Sequence, residues 1–88
     1  MRLARVTGTV TATAKDARLS GQKLLLADIV DGGGKVLMPA LVALDTCGAG
    51  VGDTVLVTAG TAARMPAGLA TIPTDLAIVA VVDRVTLA

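Results

Sequence analysis

The sequence lacks most of the residues on which enzymes depend. Its 88 residues include no histidine, glutamate, asparagine, phenylalanine, tyrosine or tryptophan, so all seven acidic residues are aspartates. Histidine and glutamate are common general acids and bases, and an imidazole usually activates a nucleophilic thiol. We therefore expect no enzyme activity, no catalytic residue, no cofactor and no metal site.

Charge and cysteine content are equally uninformative about partners. The net charge of +1 creates no field that would attract a polyanion or a cationic protein. Cys47 is the only cysteine, so an internal disulfide is impossible and nothing indicates an oxidising compartment.

The longest stretches without charge, residues 54–63 and 65–74, are ten residues each, and a transmembrane helix needs about 20. We expect a cytoplasmic protein with neither a membrane nor a nucleic-acid partner.

Apolar residues, in contrast, are in excess. They make up 53% of the chain and charged residues only 17%, where about 25% charged is usual. Chains divide into several cores only beyond roughly 250 residues, so we expect one domain over residues 1–88. One small core cannot bury so much apolar surface, and symmetric self-association is the ordinary solution. The composition predicts a homo-oligomer.

The hydrophobic pattern predicts five short strands and therefore an all-β fold. The first alternates between apolar and polar residues, while the second and the last are apolar on both faces. Strands are predicted over Ala4–Ala12, Lys23–Val30, Val36–Leu44, Thr54–Thr58 and Ala77–Leu87. Short strands joined by glycine-rich turns are typical of a small barrel. We expect a five-stranded β-barrel of the oligonucleotide-binding (OB) type with one or two short helical turns.

Three local features refine this expectation. Residues Asp31–Lys35 contain three glycines and suit a hairpin, which makes the second and third strands antiparallel. Pro39 cannot donate a ladder hydrogen bond, so it should lie at an edge or a bulge. Residues Gly60–Arg64 predict one helical turn with Thr61 as its cap, because Pro66 prevents a longer helix.

The segment Asp45–Asp53 is a glycine-rich loop whose function is open to several interpretations. Phosphate binding is disfavoured because Asp53 holds the place of the last glycine in a dinucleotide motif and a strand follows. Asp45 and Asp53 could form a carboxylate pair for acid–base chemistry or a divalent ion. The favoured interpretation is that Asp45 accepts hydrogen bonds from loop amides and that Asp53 is a turn residue. Cys47 has no histidine partner, which favours a small buried or interfacial thiol.

Arg64 stands alone in an apolar neighbourhood. It could extend into solvent, or its planar guanidinium could bind carbonyls or carboxylates across a subunit interface, and the sequence favours neither. An OB-type barrel also suggests oligonucleotide binding, but such grooves use aromatic rings and positive charge that this chain does not have.

Five segments in order resemble one known family. They are similar to its opening strand, its G-x-K-L-L segment, its A-V-D-x-V-G-A-G-x-G loop, its G-S-S/A-A-R segment and its closing strand. The segments are Leu3–Val10, Gly21–Leu26, Ala43–Gly52, Gly60–Arg64 and Pro73–Asp83. This combination resembles the EutN/CcmL family of bacterial microcompartment vertex proteins. Two departures are Cys47, where the family usually has valine, and Asp28, where it often has glutamine.

The resemblance implies a structural protein. It implies an OB-type barrel that forms a homopentamer, caps the five-fold corners of a microcompartment shell in the cytoplasm, and contacts hexameric shell proteins. Residues that could lie at the subunit interface or the five-fold axis are Asp45, Gly48, Ala49, Gly50, Gly52 and Arg64. The alternatives are a small barrel that binds a metabolite, nucleotide or oligonucleotide, and a regulatory subunit of an enzyme.

Overall fold

Five strands and two short 3₁₀ turns follow one another in the computed structural model, which describes residues 1–88. The strands are β1 (Arg2–Val10), β2 (Lys23–Val30), β3 (Val36–Asp45), β4 (Thr54–Ala59) and β5 (Leu76–Val81). The 3₁₀ turns are Ala17–Leu19 and Gly60–Arg64. No helix in the structure is long or apolar enough to cross a membrane.

The strands close into a barrel in the order β1-β2-β3-β5-β4. All neighbouring pairs are antiparallel except β3 and β5, which run parallel. The parallel contact is also the shortest, because it consists of only two residue pairs, Leu44 with Ala77 and Asp45 with Ile78. The expected all-β barrel is confirmed, and most of β3 has one hydrogen-bonded neighbour instead of two.

The barrel interior is filled by small and branched aliphatic side chains. Its main core has 11 buried residues, including Leu25, Ile29, Val55 and Ile78. Alanines are completely buried where a larger side chain would overfill so narrow a barrel, as at Ala4. A second cluster lies under the Gly60–Arg64 turn and is formed by Leu44, Ala63, Leu69, Ile72 and Ala77. This second cluster fixes the turn against β3 and β5.

A β-bulge interrupts β3 at Pro39. Met38 pairs with Ile29 and Leu41 with Ala27, so Pro39 and Ala40 together face Asp28. Ala40 has a φ of 59°, and its backbone N–H donates to Asp28 Oδ1 at 2.9 Å. The side chain thereby replaces the ladder bond that the bulge removes. The expectation that Pro39 lies at an edge or bulge is confirmed.

The predicted strand bounds agree with the structure except at the carboxyl end. β2 has the predicted bounds, β3 and β4 each end one residue later than predicted, and β1 lies two residues earlier at both ends. The prediction that the last strand reaches Leu87 is wrong. β5 ends at Val81, opposite Val55, because β4 begins only one residue earlier, at Thr54. The last backbone bond between the two segments is from the Val82 N–H to the Thr54 carbonyl at 2.8 Å.

The predicted cap of the second 3₁₀ turn is also wrong. Thr61 lies within the turn, Ala59 holds the cap position, and no side chain caps it. The turn is held by packing instead, because Ala63 is completely buried. Its first residue is tied to the barrel by the Gly60 N–H, which donates to the carbonyl of Asp75 at 2.8 Å.

Candidate assembly site

The glycine-rich loop is organised by a carboxylate at the end of β3. Asp45 Oδ1 accepts a hydrogen bond from the Cys47 amide at 3.0 Å, and Oδ2 accepts one from the Ala49 amide at 2.9 Å. The Asp45 side chain is only 1% exposed, and Lys23 Nζ lies 3.4 Å from Oδ2. Lys23 also donates to the carbonyl of Ala49. The prediction that Asp45 binds loop amides is confirmed.

The other end of the loop is a tight turn tied to β1. The Gly50 N–H donates to Asp53 Oδ2 at 2.8 Å, and the Asp53 N–H donates to the Gly50 carbonyl at 3.0 Å. Val6 exchanges backbone bonds with Gly52 and Asp53 at 2.9 and 3.0 Å. Asp53 is therefore a turn residue, as predicted. Because the carboxylates of Asp45 and Asp53 each bind amides of the loop, they do not form the alternative carboxylate pair.

The loop residues that could lie at the five-fold axis are small for different physical reasons. Gly48 and Gly52 have φ values of 75° and 93°, which a side chain with a Cβ rarely adopts. Gly50 has no such φ, and an added Cβ would meet only Asp53 Oδ2 at 3.9 Å. Ala49 is completely buried in the main core of its own chain. Gly50 is thus the position whose small size the chain itself does not require.

Cys47 lies at the exposed surface of the loop. Its Sγ is 3.3 Å from Thr46 Oγ1, and that hydroxyl donates to the carbonyl of Ile78 at 2.7 Å. The sequence favoured a thiol that is either buried or at a subunit interface. The structure excludes burial within the chain, and an interfacial position stays a prediction.

Arg64 is exposed at the end of its 3₁₀ turn. It makes no ion pair with any carboxylate of the chain, since the only ion pairs are Asp16 with Arg18 and Asp45 with Lys23. The resemblance implies that Arg64 and Asp45 could both lie at the subunit interface, but the Asp45 carboxylate is bound within its own chain. Asp45 can therefore act on an interface only through the loop that it shapes, whereas the guanidinium of Arg64 is free to bind.

The sequence did not single out the exposed apolar surface of β3. Val36, Leu37, Met38 and Val42 are each between 43% and 60% exposed, and Met65, which follows Arg64, is 82% exposed. The sequence signal that could have predicted this surface is Pro39, which lies within a run of nine uncharged, largely aliphatic residues, 36–44. Such a strand cannot pair regularly on both edges, so part of it must face outward.

Residues 1–83 match the family described as "Ethanolamine utilisation protein EutN/carboxysome". The chain belongs to the EutN/CcmL family. This membership agrees with the five-stranded barrel and with the order of the five motif segments, and it confirms the resemblance drawn from the sequence.

Three relatives in the EutN/CcmL family illustrate the likeness. The carboxysome shell vertex protein CcmL of Nostoc sp. is 44% identical over 97% of this chain and 85% of its own length. The bacterial microcompartment shell vertex protein EutN of Escherichia coli K12 is 38% identical over 97% of this chain and 90% of its own. The structure of GrpN, a pentameric microcompartment shell protein from Rhodospirillum rubrum, is 36% identical, with a TM-score of 0.85 over 100% of this chain and 99% of GrpN.

Proposed function

We propose that this chain is a vertex protein of a bacterial microcompartment shell and acts there as a homopentamer. The observation that carries the proposal is the match to EutN/CcmL proteins over nearly the whole chain. CcmL of Nostoc sp. and EutN of Escherichia coli are named shell vertex proteins, and GrpN is described as pentameric.

The physical need for such a protein follows from geometry. A flat layer of six-fold units cannot close into a polyhedron unless five-fold units stand at its corners. A barrel that binds the next copy head to tail forms a ring when the rotation between copies closes, and a ring of five supplies that corner. The neighbours of the ring would then be hexameric shell proteins.

The proposed role is mechanical and not catalytic. The relatives are structural proteins of shells, and no group of three or more potential metal ligands occurs in this barrel. The loop carboxylates bind backbone amides, and the thiol of Cys47 contacts only Thr46 and the Ile78 carbonyl. No observation favours the alternative of a nucleotide-binding module. The chain has no aromatic ring on which a base could stack, and its net charge is only +1.

Two measurements test the proposal. Native mass spectrometry of the purified protein should give a species of five subunits, and a monomer at micromolar concentration would contradict the proposal. Electron microscopy of cells that lack this protein should show open or elongated shells, while the encapsulated enzymes keep their activity in lysates. Closed, normal polyhedra in such cells, with no related vertex protein present, would overturn the capping role.

A further inference from the structure

One end of the barrel opens to solvent through an apolar groove of about 400 Å³. It lies where β1 begins and β4 ends, and its floor includes Ile29 and Leu76, which belong to the main core. Met38 and Val42 line it and remain 43% and 48% exposed. The groove therefore exposes core-facing apolar surface that a partner could cover.

A β-strand is a poor occupant for this groove. Residues 36–43 of β3 have no neighbour on the side of β5, because the parallel contact begins only at Leu44. The bulge at Pro39 and Ala40 breaks the regular ladder on that strand, and proline also removes a donor. An occupant that inserts side chains suits the groove better than one that extends the sheet.

The same chain carries a protruding apolar side chain next to a free positive charge. Met65 is 82% exposed and follows Arg64, whose guanidinium has no ion pair within the chain. We call these two residues the tip. The turn that carries the tip packs on the barrel, because Ala63, next to Arg64, is completely buried. Methionine is flexible and polarizable and fills irregular apolar spaces well.

The structure narrows the acidic partner of Arg64 to one residue. Five of the seven aspartates already bind a group of their own chain through the carboxylate; they are Asp16, Asp28, Asp31, Asp45 and Asp53. Asp83 lines a different pocket and not the apolar groove. Asp75 is exposed, has no ion pair, and stands with Arg2 in the lining of the apolar groove.

We propose that the groove receives the tip of a second copy of this chain, with Met65 of the neighbouring copy in the apolar part and its Arg64 paired with Asp75. This inference rests on the proposed pentamer and names its contact. The complementarity is twofold, since an exposed apolar side chain meets an open apolar groove and a free cation meets a free carboxylate. The tip and the groove share no residue, so the contact can repeat from one subunit to the next and close into a ring.

Charge reversal tests the pair. Arg64→Asp and Asp75→Arg should each raise the subunit concentration at half-assembly by at least about tenfold, because like charges then meet at every interface. The double variant should restore the ring. Native mass spectrometry reports assembly, and circular dichroism confirms the fold of each variant. Rings that survive both single reversals would overturn the pair.

A mixing experiment separates a contact between copies from one within a chain. Isotope-labelled wild type and the unlabelled double variant should form only unmixed rings, because each junction between them would bring like charges together. Mixed rings would overturn the proposal. The control is the double reversal of Asp16→Arg and Arg18→Asp, whose pair lies within one chain, and which should mix freely with wild type.

An apolar variant provides a measure that does not depend on charge. Met65→Ser should weaken the ring more than Leu87→Ser, although Leu87 is also largely exposed at 67%. Equal effects would contradict the insertion of Met65. A wild-type protein that is no pentamer at all would refute the proposed function itself, whereas a pentamer insensitive to these changes refutes only this contact.

Discussion

At the scale of single residues, Asp45 is the side chain on which the glycine-rich loop depends most. Asp45→Ala leaves the Cys47 and Ala49 amides without their acceptor. An unsatisfied buried donor costs about 1–3 kcal/mol. Because the Ala49 bond is buried and the Cys47 bond is only partly buried, we expect the free energy of unfolding to fall by about 2–4 kcal/mol. Urea denaturation at a fixed protein concentration measures the effect.

Asp83→Ala is the matched control for that experiment. Asp83 is exposed and accepts no hydrogen bond through its carboxylate, so its removal should change stability by less than about 0.5 kcal/mol. If the two variants unfold at the same urea concentration, the loop does not depend on Asp45.

The pair of Asp16 and Arg18 makes a titration prediction. A side-chain hydrogen bond from Arg18, with a second from its backbone N–H, lowers the pKa of Asp16 from 3.8 to about 2. Because the folded pKa is lowered, the stabilisation is complete above pH 3.8 and is lost as the pH falls through about 2. In an NMR titration, Arg18→Ala should raise the Asp16 midpoint toward 3.8. An unchanged midpoint would contradict the assignment.

At the scale of elements, the glycine loop separates what folding requires from what assembly requires. Gly48→Ala should destabilise the barrel by about 1–2 kcal/mol, because a Cβ opposes the φ of 75°. Gly50→Val should leave the barrel stable, since its backbone is not strained and the added Cβ has space. If subunits crowd at this loop, Gly50→Val should nevertheless abolish the ring. Thermal unfolding and native mass spectrometry, measured on both variants, distinguish the two effects.

The glycine cluster of the β2–β3 hairpin supplies the comparison. Gly33 has no positive φ, and an added Cβ would lie 3.5 Å from Asp31 Oδ1. Gly33→Ala should therefore affect both fold and ring less than Gly48→Ala. A ring lost in Gly33→Ala but kept in Gly50→Val would reverse the roles assigned to the two clusters.

The sequence predicted elements better than it predicted how they end. Alternation and apolar runs located all five strands, because side-chain periodicity reports which faces are buried. The end of β5 could not be predicted from its own residues, because it depends on where the antiparallel partner strand β4 begins. Thr61 was likewise a reasonable cap by residue type, but the turn is fixed by the burial of Ala63. Pairing and packing across the barrel decide such boundaries.

The candidate site was predictable only in part for the same reason. Asp45 and Asp53 could be assigned to the loop because aspartate beside glycine commonly binds backbone amides. The groove could not be foreseen, because Arg2, Met38 and Asp75 come from distant segments. Their proximity follows from barrel closure, which a pattern along one chain does not encode.

At the scale of the whole molecule, stability should depend on protein concentration. Only 18 of the 88 residues are buried in the isolated chain, and ten large hydrophobic residues are exposed, so the proposed assembly has apolar surface to cover. Mass action then couples unfolding to dissociation, and the unfolding temperature should rise as the total concentration is raised. A midpoint that stays constant over a hundredfold range of concentration would show that the subunit is stable on its own.

The order of the strands in the barrel also constrains when a subunit becomes available. β1 is synthesised first, but one of its two partners is β4. The barrel closes only when β5, which ends at Val81, pairs with both β3 and β4. Contacts between such distant segments slow folding. Because Asp75 and Leu76 belong to the groove, the proposed docking surface is complete only after β5 has paired with its neighbours. For the proposed shell, we therefore expect corners to be built from subunits whose barrels have already closed.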